Sequence, residues 1–194
     1  MPGRCYLVHR FLLVRHAAPL SGDDPGLSEQ GRAEAAALAR RLASWRLDAA
    51  WSSNLNRAVQ TAETILSEHQ GIALRRSPLL REVDLPVDPN RRPGQPGYRD
   101  WEAATIEGVA RDLSEWIEQA TNGLERPSPD DCPNILVVCH GGPLRVLTCL
   151  LLSLPTEKQW SFRHDWASLS VVERVEDMGT LTLLNDRCHL QELG

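Results

Sequence analysis

The chain has 194 residues, of which 42% are hydrophobic and 24% are charged, and its net charge is −5 at pH 7. This length suits one α/β domain with a substantial core, so we expect residues 1–194 to form a single domain. A general nucleic-acid binder usually carries a basic stripe, whereas this chain is mildly acidic. We therefore expect no nucleic-acid partner.

The apolar runs and the cysteines predict a soluble, cytoplasmic protein. Residues 146–154 form an apolar run far shorter than the ~20 residues that cross a bilayer, so no membrane association is expected. Residues 1–14 are interrupted by Arg4, His9 and Arg10, unlike the core of a signal peptide. Five cysteines, an odd number without a Cys-x-x-Cys pair, favour a reducing compartment.

The chain opens with a buried-strand pattern that ends in two polar residues. Residues 11–14 are all apolar, which is typical of a strand buried on both faces of a parallel sheet. Arg15 and His16 follow, at the carboxyl end where such sheets bind ligands. Taken alone, this stretch fits equally well an ordinary strand end that carries two surface residues.

Two helices are predicted next, separated by a weak strand at residues 49–52. Residues 17–26 form a loop beside His16, and Ser28 suits the cap of the first helix, whose apolar stripe runs over residues 35–42. The second helix is expected to start near Asn54 or Asn56. Arg57 then lies in its first turn, where the helix dipole disfavours a cation unless an anion binds nearby.

The middle of the chain is less regular. A short strand is expected at residues 72–74, and the apolar pair Leu79 and Leu80 leads to Glu82. From about residue 83 to 104 the chain is rich in Pro, Gly and Arg, which predicts an irregular, cap-like excursion. A helical stripe over residues 106–120 follows.

A second apolar run, residues 135–139, also ends in a histidine, His140, followed by two glycines. Two buried strands that each deliver a histidine to the same sheet edge make a site. Pro143 suits the first position of a helix, and Thr156 with Gln159 predicts a capping box for another. Strands at residues 169–172 and 181–184 would form a terminal hairpin, which completes an α/β fold.

These residue types suit phosphoryl transfer. A neutral His16 imidazole is a good nucleophile toward phosphorus. Arg15 and Arg57 match phosphate oxygens bidentately, and His140 with the backbone at Gly141 adds further donors. The leaving alkoxide needs a proton, for which Glu82 is the best donor and Asp84 the reserve.

The motifs resemble those of the histidine phosphatase superfamily, also called phosphoglycerate-mutase-like. The resemblance lies in residues 13–17, 27–31, 52–62 and 139–142, in that order, and extends to residues 184–190. It implies a three-layer α/β/α sandwich with a mostly parallel central sheet, and catalysis without a metal or other cofactor. It also implies that His16 becomes the phosphohistidine, that Glu82 donates the proton, and that Arg15, Arg57 and His140 bind the phosphoryl group.

The sequence also departs from the family pattern. Ala17, Ala18 and Pro19 replace the glycine, glutamate and threonine that often follow the nucleophile, and Gly22 replaces an asparagine that contacts phosphate. Residues 83–89 replace the Trp-Glu-Gly pattern of mutases, which weakens a mutase assignment and leaves the substrate open.

We therefore expect a metal-independent phosphatase that hydrolyses a small phosphorylated metabolite. A phosphoglycerate-type mutase, a phosphoprotein phosphatase and a non-catalytic phosphate-binding module are the alternatives, and the substrate is left open among sugar phosphates, phosphoglycerates and α-ribazole phosphate. The sequence is compatible with a homodimer. Arg91, Arg92 and Arg145 are either further anion-binding groups or solvated surface residues. Arg163, His164 and Asp165 are interpreted as a solvated turn or helix end.

Overall fold

The computed structural model describes residues 8–83, 103–125 and 131–193. Within these ranges a six-stranded sheet is flanked by four α-helices. The strands are Val8–Arg15 (β1), Ala49–Ser53 (β2), Leu74–Ser77 (β3), Asn134–Cys139 (β4), Leu169–Val175 (β5) and Met178–Asp186 (β6). The helices are Glu29–Leu42 (α1), Asn56–Leu66 (α2), Ala103–Thr121 (α3) and Gly141–Leu151 (α4).

The sheet order is β3-β2-β4-β1-β5-β6. The first four strands in this order are parallel, whereas β5 pairs antiparallel with β1 and with β6. This confirms the mostly parallel sheet and the terminal hairpin at its edge. All four parallel strands point their carboxyl ends to the same edge, where ligands bind in open α/β sheets.

The alternation of side chains along β1 explains the three layers. Phe11 and Leu13 join one buried cluster, to which α3 and α4 contribute, while Leu12 and Val14 join a second cluster with α1 and α2. Successive side chains of a strand point to opposite faces, so a strand covered on both faces must be apolar throughout. The predicted α/β/α sandwich is therefore confirmed.

The pairing register places the two histidines side by side. In the parallel pair β1 and β4, Arg15 is the partner of Cys139. The next residue on each strand is a histidine, and the backbone N–H of His16 donates to the carbonyl of Cys139 at 3.0 Å. The two apolar runs, which are far apart in the sequence, thus end at the same level along neighbouring strands.

Several local predictions were wrong in detail. The third strand begins at Leu74, two residues later than expected, and α4 begins at Gly141, so Pro143 is its third residue. The predicted capping box is absent, because the short 3-10 helix Thr156–Ser161 follows Pro155 and makes no side-chain cap. Most of the excursion expected at about residues 83–104 lies outside the described residues, as does Asp84.

No helix within the described ranges combines the length and the apolar character that a membrane span requires.

Candidate active site

His16 is buried at the carboxyl end of β1, with only 3% of its surface exposed. Its Nδ1 lies 2.8 Å from the carbonyl oxygen of Ala17, so Nδ1–H donates this hydrogen bond. The tautomer is thereby fixed, and Nε2 carries the lone pair. The Nε–H of Arg57 donates to that Nε2 at 3.3 Å. The nitrogen that carries the lone pair therefore faces the Arg57 guanidinium cation.

The surroundings of His16 keep its ring neutral. Burial lowers the pKa of His16 to about 3, and the nearby charges of Arg57 and Arg15 lower it in the same direction. At neutral pH the imidazole is therefore unprotonated, which is the form that attacks phosphorus.

His140 lies beside His16 and is fully buried. The two ring centroids are 5.0 Å apart at an interplanar angle of 61°. Burial, together with His16 and Arg57, lowers the pKa of His140 to about 2. Neither ring nitrogen has a hydrogen-bond partner within the described part of the chain. Buried polar groups are normally satisfied, so this pair of unpartnered nitrogens indicates a ligand-binding position.

Two arginines reach the same place from different elements. Arg57 lies in the first turn of α2, as predicted, and its side chain is 12% exposed. Arg15 ends β1, and its Nη1–H donates to the carbonyl of His164 at 2.8 Å. The Nε of Arg15 is buried without a partner among the described residues. The two guanidinium groups thus retain donors for an anion.

Glu82 approaches from the opposite side, beyond the short 3-10 turn Pro78–Leu80 that follows β3. Its Oε1 accepts the backbone N–H of Gly142 at 3.1 Å, and its Oε2 lies 3.9 Å from Nδ1 of His140. Burial raises the pKa of Glu82, outweighing the N–H of Gly142 and the charge of Arg15, which lower it. A carboxyl group with a raised pKa is suited to donate a proton.

The two glycines after His140 leave room for neighbouring side chains at the start of α4. The N–H of Gly142 binds Glu82, so it is not a free donor for phosphate. A Cβ atom on Gly142 would lie 2.8 Å from Oε1 of Glu82, and one on Gly141 would lie 3.4 Å from Cζ of Arg15. The glycines therefore let the side chains of Glu82 and Arg15 approach the start of α4.

His16, Glu82 and His140 also form a set of possible metal ligands, with ligand atoms within 4.8 Å of one another. Two imidazoles and a carboxylate do bind transition metals. A metal bound through Nε2 of His16 would, however, compete with the cationic Arg57, which already donates to that lone pair. Positive charge at this position favours an anion over a metal ion.

The loop after His16 is held by polar side chains whose roles the sequence did not reveal. Thr61 of α2 accepts the N–H of Ala17 at 3.1 Å and donates to the carbonyl of Arg57 at 2.8 Å. Glu34 of α1 is buried and accepts the N–H of Ala18 at 2.9 Å. In the sequence, Glu34 lies directly before the apolar stripe of residues 35–42. A carboxylate in line with such a stripe is the signal that would have pointed to it.

Gly31 allows α1 to pack against the same loop, and we expect Gly31→Ala to destabilise the protein. A Cβ atom at residue 31 would lie 1.9 Å from the carbonyl oxygen of Ala18, two residues after His16. The backbone must shift to relieve this clash, at a cost of about 1–3 kcal/mol of unfolding free energy. Urea unfolding measures the loss, and phosphatase activity should fall with it because the His16 loop moves.

The matched control is Gly108→Ala in α3. Its Cβ atom would meet only the end of the flexible Arg111 side chain, at 4.0 Å. Alanine is favoured over glycine inside a helix by about 1 kcal/mol, so this variant should be as stable as the parent or more stable. Equal stability of the two variants would contradict the close-packing role of Gly31.

His164 corrects the interpretation of residues 163–165 as a solvated turn. Arg163 is exposed, but His164 is 1% exposed. Its Nε2 lies 3.2 Å from Oγ1 of Thr148, which already donates to Leu144, so His164 donates there. Its Nδ1 then accepts from Ser170 at 3.3 Å. No apolar run precedes residue 163, so periodicity gave no signal for this burial.

Burial lowers the pKa of His164 to about 3, which predicts acid sensitivity of the fold. Below pH 6.5 the unfolded chain binds a proton at this residue, whereas the folded chain binds it only near pH 3. Stability therefore falls as pH drops through this window. His164→Gln should reduce the slope of unfolding free energy against pH by about 1 kcal/mol per pH unit.

Urea unfolding at several pH values between 7 and 4 measures this slope. Ser170→Ala is the matched control, because it removes a hydrogen bond to His164 but keeps the titrating ring. We expect it to lower stability at every pH without changing the slope. A slope that is the same in His164→Gln and the parent would show that His164 is protonated in the folded state.

Arg145, which the sequence left unassigned, is half-buried in α4. Its Cζ lies 4.8 Å from the ring centroid of Trp160, and burial lowers its pKa. It contributes positive charge near Glu82. Arg91 and Arg92 lie outside the described residues.

The family assignment follows from comparison with known proteins. The model of the histidine phosphatase superfamily, branch 1, matches residues 11–187. This range contains the strand that ends at His16, the Arg57 helix and the strand that ends at His140. The chain belongs to the histidine phosphatase superfamily. The resemblance drawn from the motifs is thereby confirmed, and with it the assignment as a phosphatase.

Individual histidine phosphatases are similar over nearly the whole chain. The adenosylcobalamin/alpha-ribazole phosphatase of Salmonella typhimurium is 30% identical, covering 92% of this chain and 96% of that protein. Phosphoserine phosphatase 1 of Hydrogenobacter thermophilus is 27% identical, with coverage of 94% and 95%. The crystal structure of the alpha-ribazole phosphatase from Shigella flexneri, 24% identical, superposes with a TM-score of 0.72 over 92% of this chain and 96% of that one. This likeness supports the fold.

Proposed function

We propose that this histidine phosphatase hydrolyses small phosphate monoesters without a metal, through a phosphohistidine at Nε2 of His16. The observation that carries the proposal is the Nε2 lone pair of a neutral, buried His16, held 3.3 Å from the Arg57 guanidinium and beside His140 and Glu82. A nucleophile, cationic groups that can bind phosphate and a carboxyl group with a raised pKa within one cluster are the parts that phosphoryl transfer requires.

The reaction proceeds in two steps. Nε2 of His16 attacks phosphorus in line with the leaving oxygen, the P–O ester bond breaks, and Glu82 protonates the departing alkoxide. Glu82, now a carboxylate, then takes a proton from a water that attacks the phosphohistidine, which releases inorganic phosphate and restores both residues. Arg15, Arg57 and His140 bind the equatorial oxygens, where negative charge develops.

The orientation of His16 supports attack through Nε2. Because Nδ1–H is committed to the carbonyl of Ala17, the ring is held as one tautomer and one rotamer. As Nε2 forms its bond to phosphorus, the ring gains positive charge, which the Ala17 carbonyl at Nδ1–H stabilises. Thr61 and Glu34 hold the backbone of this loop and thereby steady the nucleophile.

The substrate is a small phosphorylated metabolite, for which relatives suggest a first panel. Phosphoserine and α-ribazole phosphate are indicated by the names of two relatives, and sugar phosphates and phosphoglycerates extend the panel. Quantitative release of inorganic phosphate, without a rearranged phosphate ester, would distinguish hydrolysis from mutase activity. We also propose a cytoplasmic location, which the free cysteines Cys132, Cys139, Cys149 and Cys188 support.

The test is hydrolysis of 4-nitrophenyl phosphate by the purified protein after exhaustive chelation. We expect turnover that excess chelator leaves unchanged, and a burst of one nitrophenol per protein when dephosphorylation limits the rate. Loss of activity on chelation, with recovery on adding a metal, would contradict the proposal and favour the His16, Glu82 and His140 set as a metal centre. No turnover of this substrate or of the panel would favour a binding module.

A further inference from the structure

Trp166 lies at the rim of the proposed phosphate site. Its indole is 43% exposed, and Cζ of Arg15 lies 5.8 Å from the ring centroid. Among the large hydrophobic side chains that are exposed in the described ranges, it is the only aromatic one. An exposed ring beside a phosphate-binding arginine is positioned to contact whatever the phosphate is attached to.

The backbone around Trp166 is fixed to the strand that carries the nucleophile. Before it, the carbonyl of His164 accepts the hydrogen bond from Nη1 of Arg15 at 2.8 Å. After it, the N–H of Ala167 lies 3.1 Å from the carbonyl of Arg15 and 3.2 Å from that of His16. These hydrogen bonds tie the backbone on both sides of Trp166 to the end of β1, next to His16.

The segment that carries Trp166 is well packed. Ala167 and Ser168 are fully buried, and the His164 ring is locked between Thr148 and Ser170, so the segment is well supported. Tryptophan offers a large, rigid contact surface at low entropic cost, and its ring face stacks on other aromatic rings. A phosphate bound to Arg15 at about 2.9 Å would place the next atoms of the ester near that face.

We propose that Trp166 is a specificity-determining residue that stacks on an aromatic or heteroaromatic ring in the alcohol portion of the substrate. This inference rests on the proposed function, since it takes the phosphate to bind at Arg15, Arg57 and His140. The substrate class is then a phosphate monoester whose alcohol portion carries a planar ring. Aliphatic phosphates of similar size bind less tightly.

Binding of two phosphonates, which cannot be hydrolysed, tests the inference separately from catalysis. The pair is 2-phenylethylphosphonate and n-butylphosphonate, and calorimetry gives their dissociation constants. We expect the parent protein to bind the phenyl compound about 3- to 10-fold more tightly. Trp166→Leu should bring the ratio close to one, while Trp166→Phe should keep most of the preference because it retains an aromatic face.

Trp45→Leu is the matched control, because Trp45 is also partly exposed but packs against the cluster between α1, α2 and the sheet. Its ratio should equal that of the parent. If Trp166→Leu weakens both phosphonates equally, Trp166 only steadies Arg15 through a cation–π contact, and the inference is overturned. Failure of the parent to bind either phosphonate, or equal binding of both, also overturns it.

Turnover of 4-nitrophenyl phosphate is measured in parallel on the same proteins. Turnover without a phenyl preference overturns the role of Trp166 and leaves the proposed function intact. A phenyl preference that depends on Trp166, without turnover of any substrate in the panel, supports the ring-binding role and overturns hydrolysis. The two failures are therefore distinguishable.

Discussion

His16→Ala should abolish the hydrolysis of phosphate monoesters, with a loss on the order of 10⁴-fold or more in kcat, because no other group replaces a covalent nucleophile. Phosphate should still bind, since Arg15, Arg57 and His140 remain. Steady-state turnover of 4-nitrophenyl phosphate measures the loss, and binding of inorganic phosphate by calorimetry tests whether the site persists. Thermal unfolding should show that the variant is folded.

The matched control is His69→Ala. His69 follows the carboxyl end of α2, whereas Arg57 lies at its amino end, so the two are separated by the length of the helix, about 16 Å. We expect this variant to retain full activity. Activity that survives in His16→Ala would disprove the phosphohistidine mechanism and require another nucleophile.

Glu82→Gln should produce the second-largest loss, and its size should depend on the leaving group. For an alkyl phosphate we expect kcat/KM to fall by about 10²- to 10⁴-fold, because the strongly basic alkoxide needs a proton as it departs. For 4-nitrophenyl phosphate, kcat/KM should change little, because nitrophenolate departs unprotonated. A burst followed by slow turnover is expected, since the variant also lacks the base that activates water.

The pH dependence provides a further readout of Glu82. Its pKa is raised by burial, and it must be protonated for the first step. In the parent protein, kcat/KM for an alkyl phosphate should therefore decline as pH rises past that pKa, and this decline should disappear in Glu82→Gln. The pKa of His16 is about 3, so protonation of His16 causes no further change in kcat/KM near neutral pH.

Asp84→Asn is the comparison variant, because the sequence offers Asp84 as the alternative donor. A loss in Asp84→Asn that depends on the leaving group, with none in Glu82→Gln, would transfer the acid role to Asp84. A uniform loss for both classes of substrate in Glu82→Gln would instead indicate that this residue only holds the N–H of Gly142.

The sequence predicted those parts of the fold in which the local residue pattern agrees with the final environment of the residues. The apolar runs that became β1 and β4 are buried on both faces, and each predicted its strand to within three residues. The cap at Ser28 is also local, because its Oγ accepts the N–H of Gly31 three residues ahead.

The errors occurred where a distant partner determines the structure. Pro143 is acceptable at the first helical position, yet α4 starts at Gly141, where a carboxylate from residue 82 accepts the N–H of Gly142. His164 looked like part of a polar turn, yet hydroxyl groups from α4 and β5 enclose it. No local pattern contains either partner.

For the site, the sequence by itself determined the residue types and their order along the chain. Two histidines that each end a buried apolar strand, and an arginine in the first turn of a helix, were sufficient to predict an anion site. The physical reason is that burial of an entire strand imposes an apolar composition, so the polar residue at its end stands out.

Only the tertiary structure decided how these groups act on one another. The parallel pairing of β1 with β4 sets the 5.0 Å between the histidine rings, and the surrounding core lowers both of their pKa values. Burial of Glu82 raises its pKa, although the hydrogen bond from the N–H of Gly142 in α4 lowers it, and that hydrogen bond holds the carboxyl group beside His140. Desolvation and hydrogen-bond geometry depend on all the elements that enclose a group, so they arise only once the sheet and its helices have packed together.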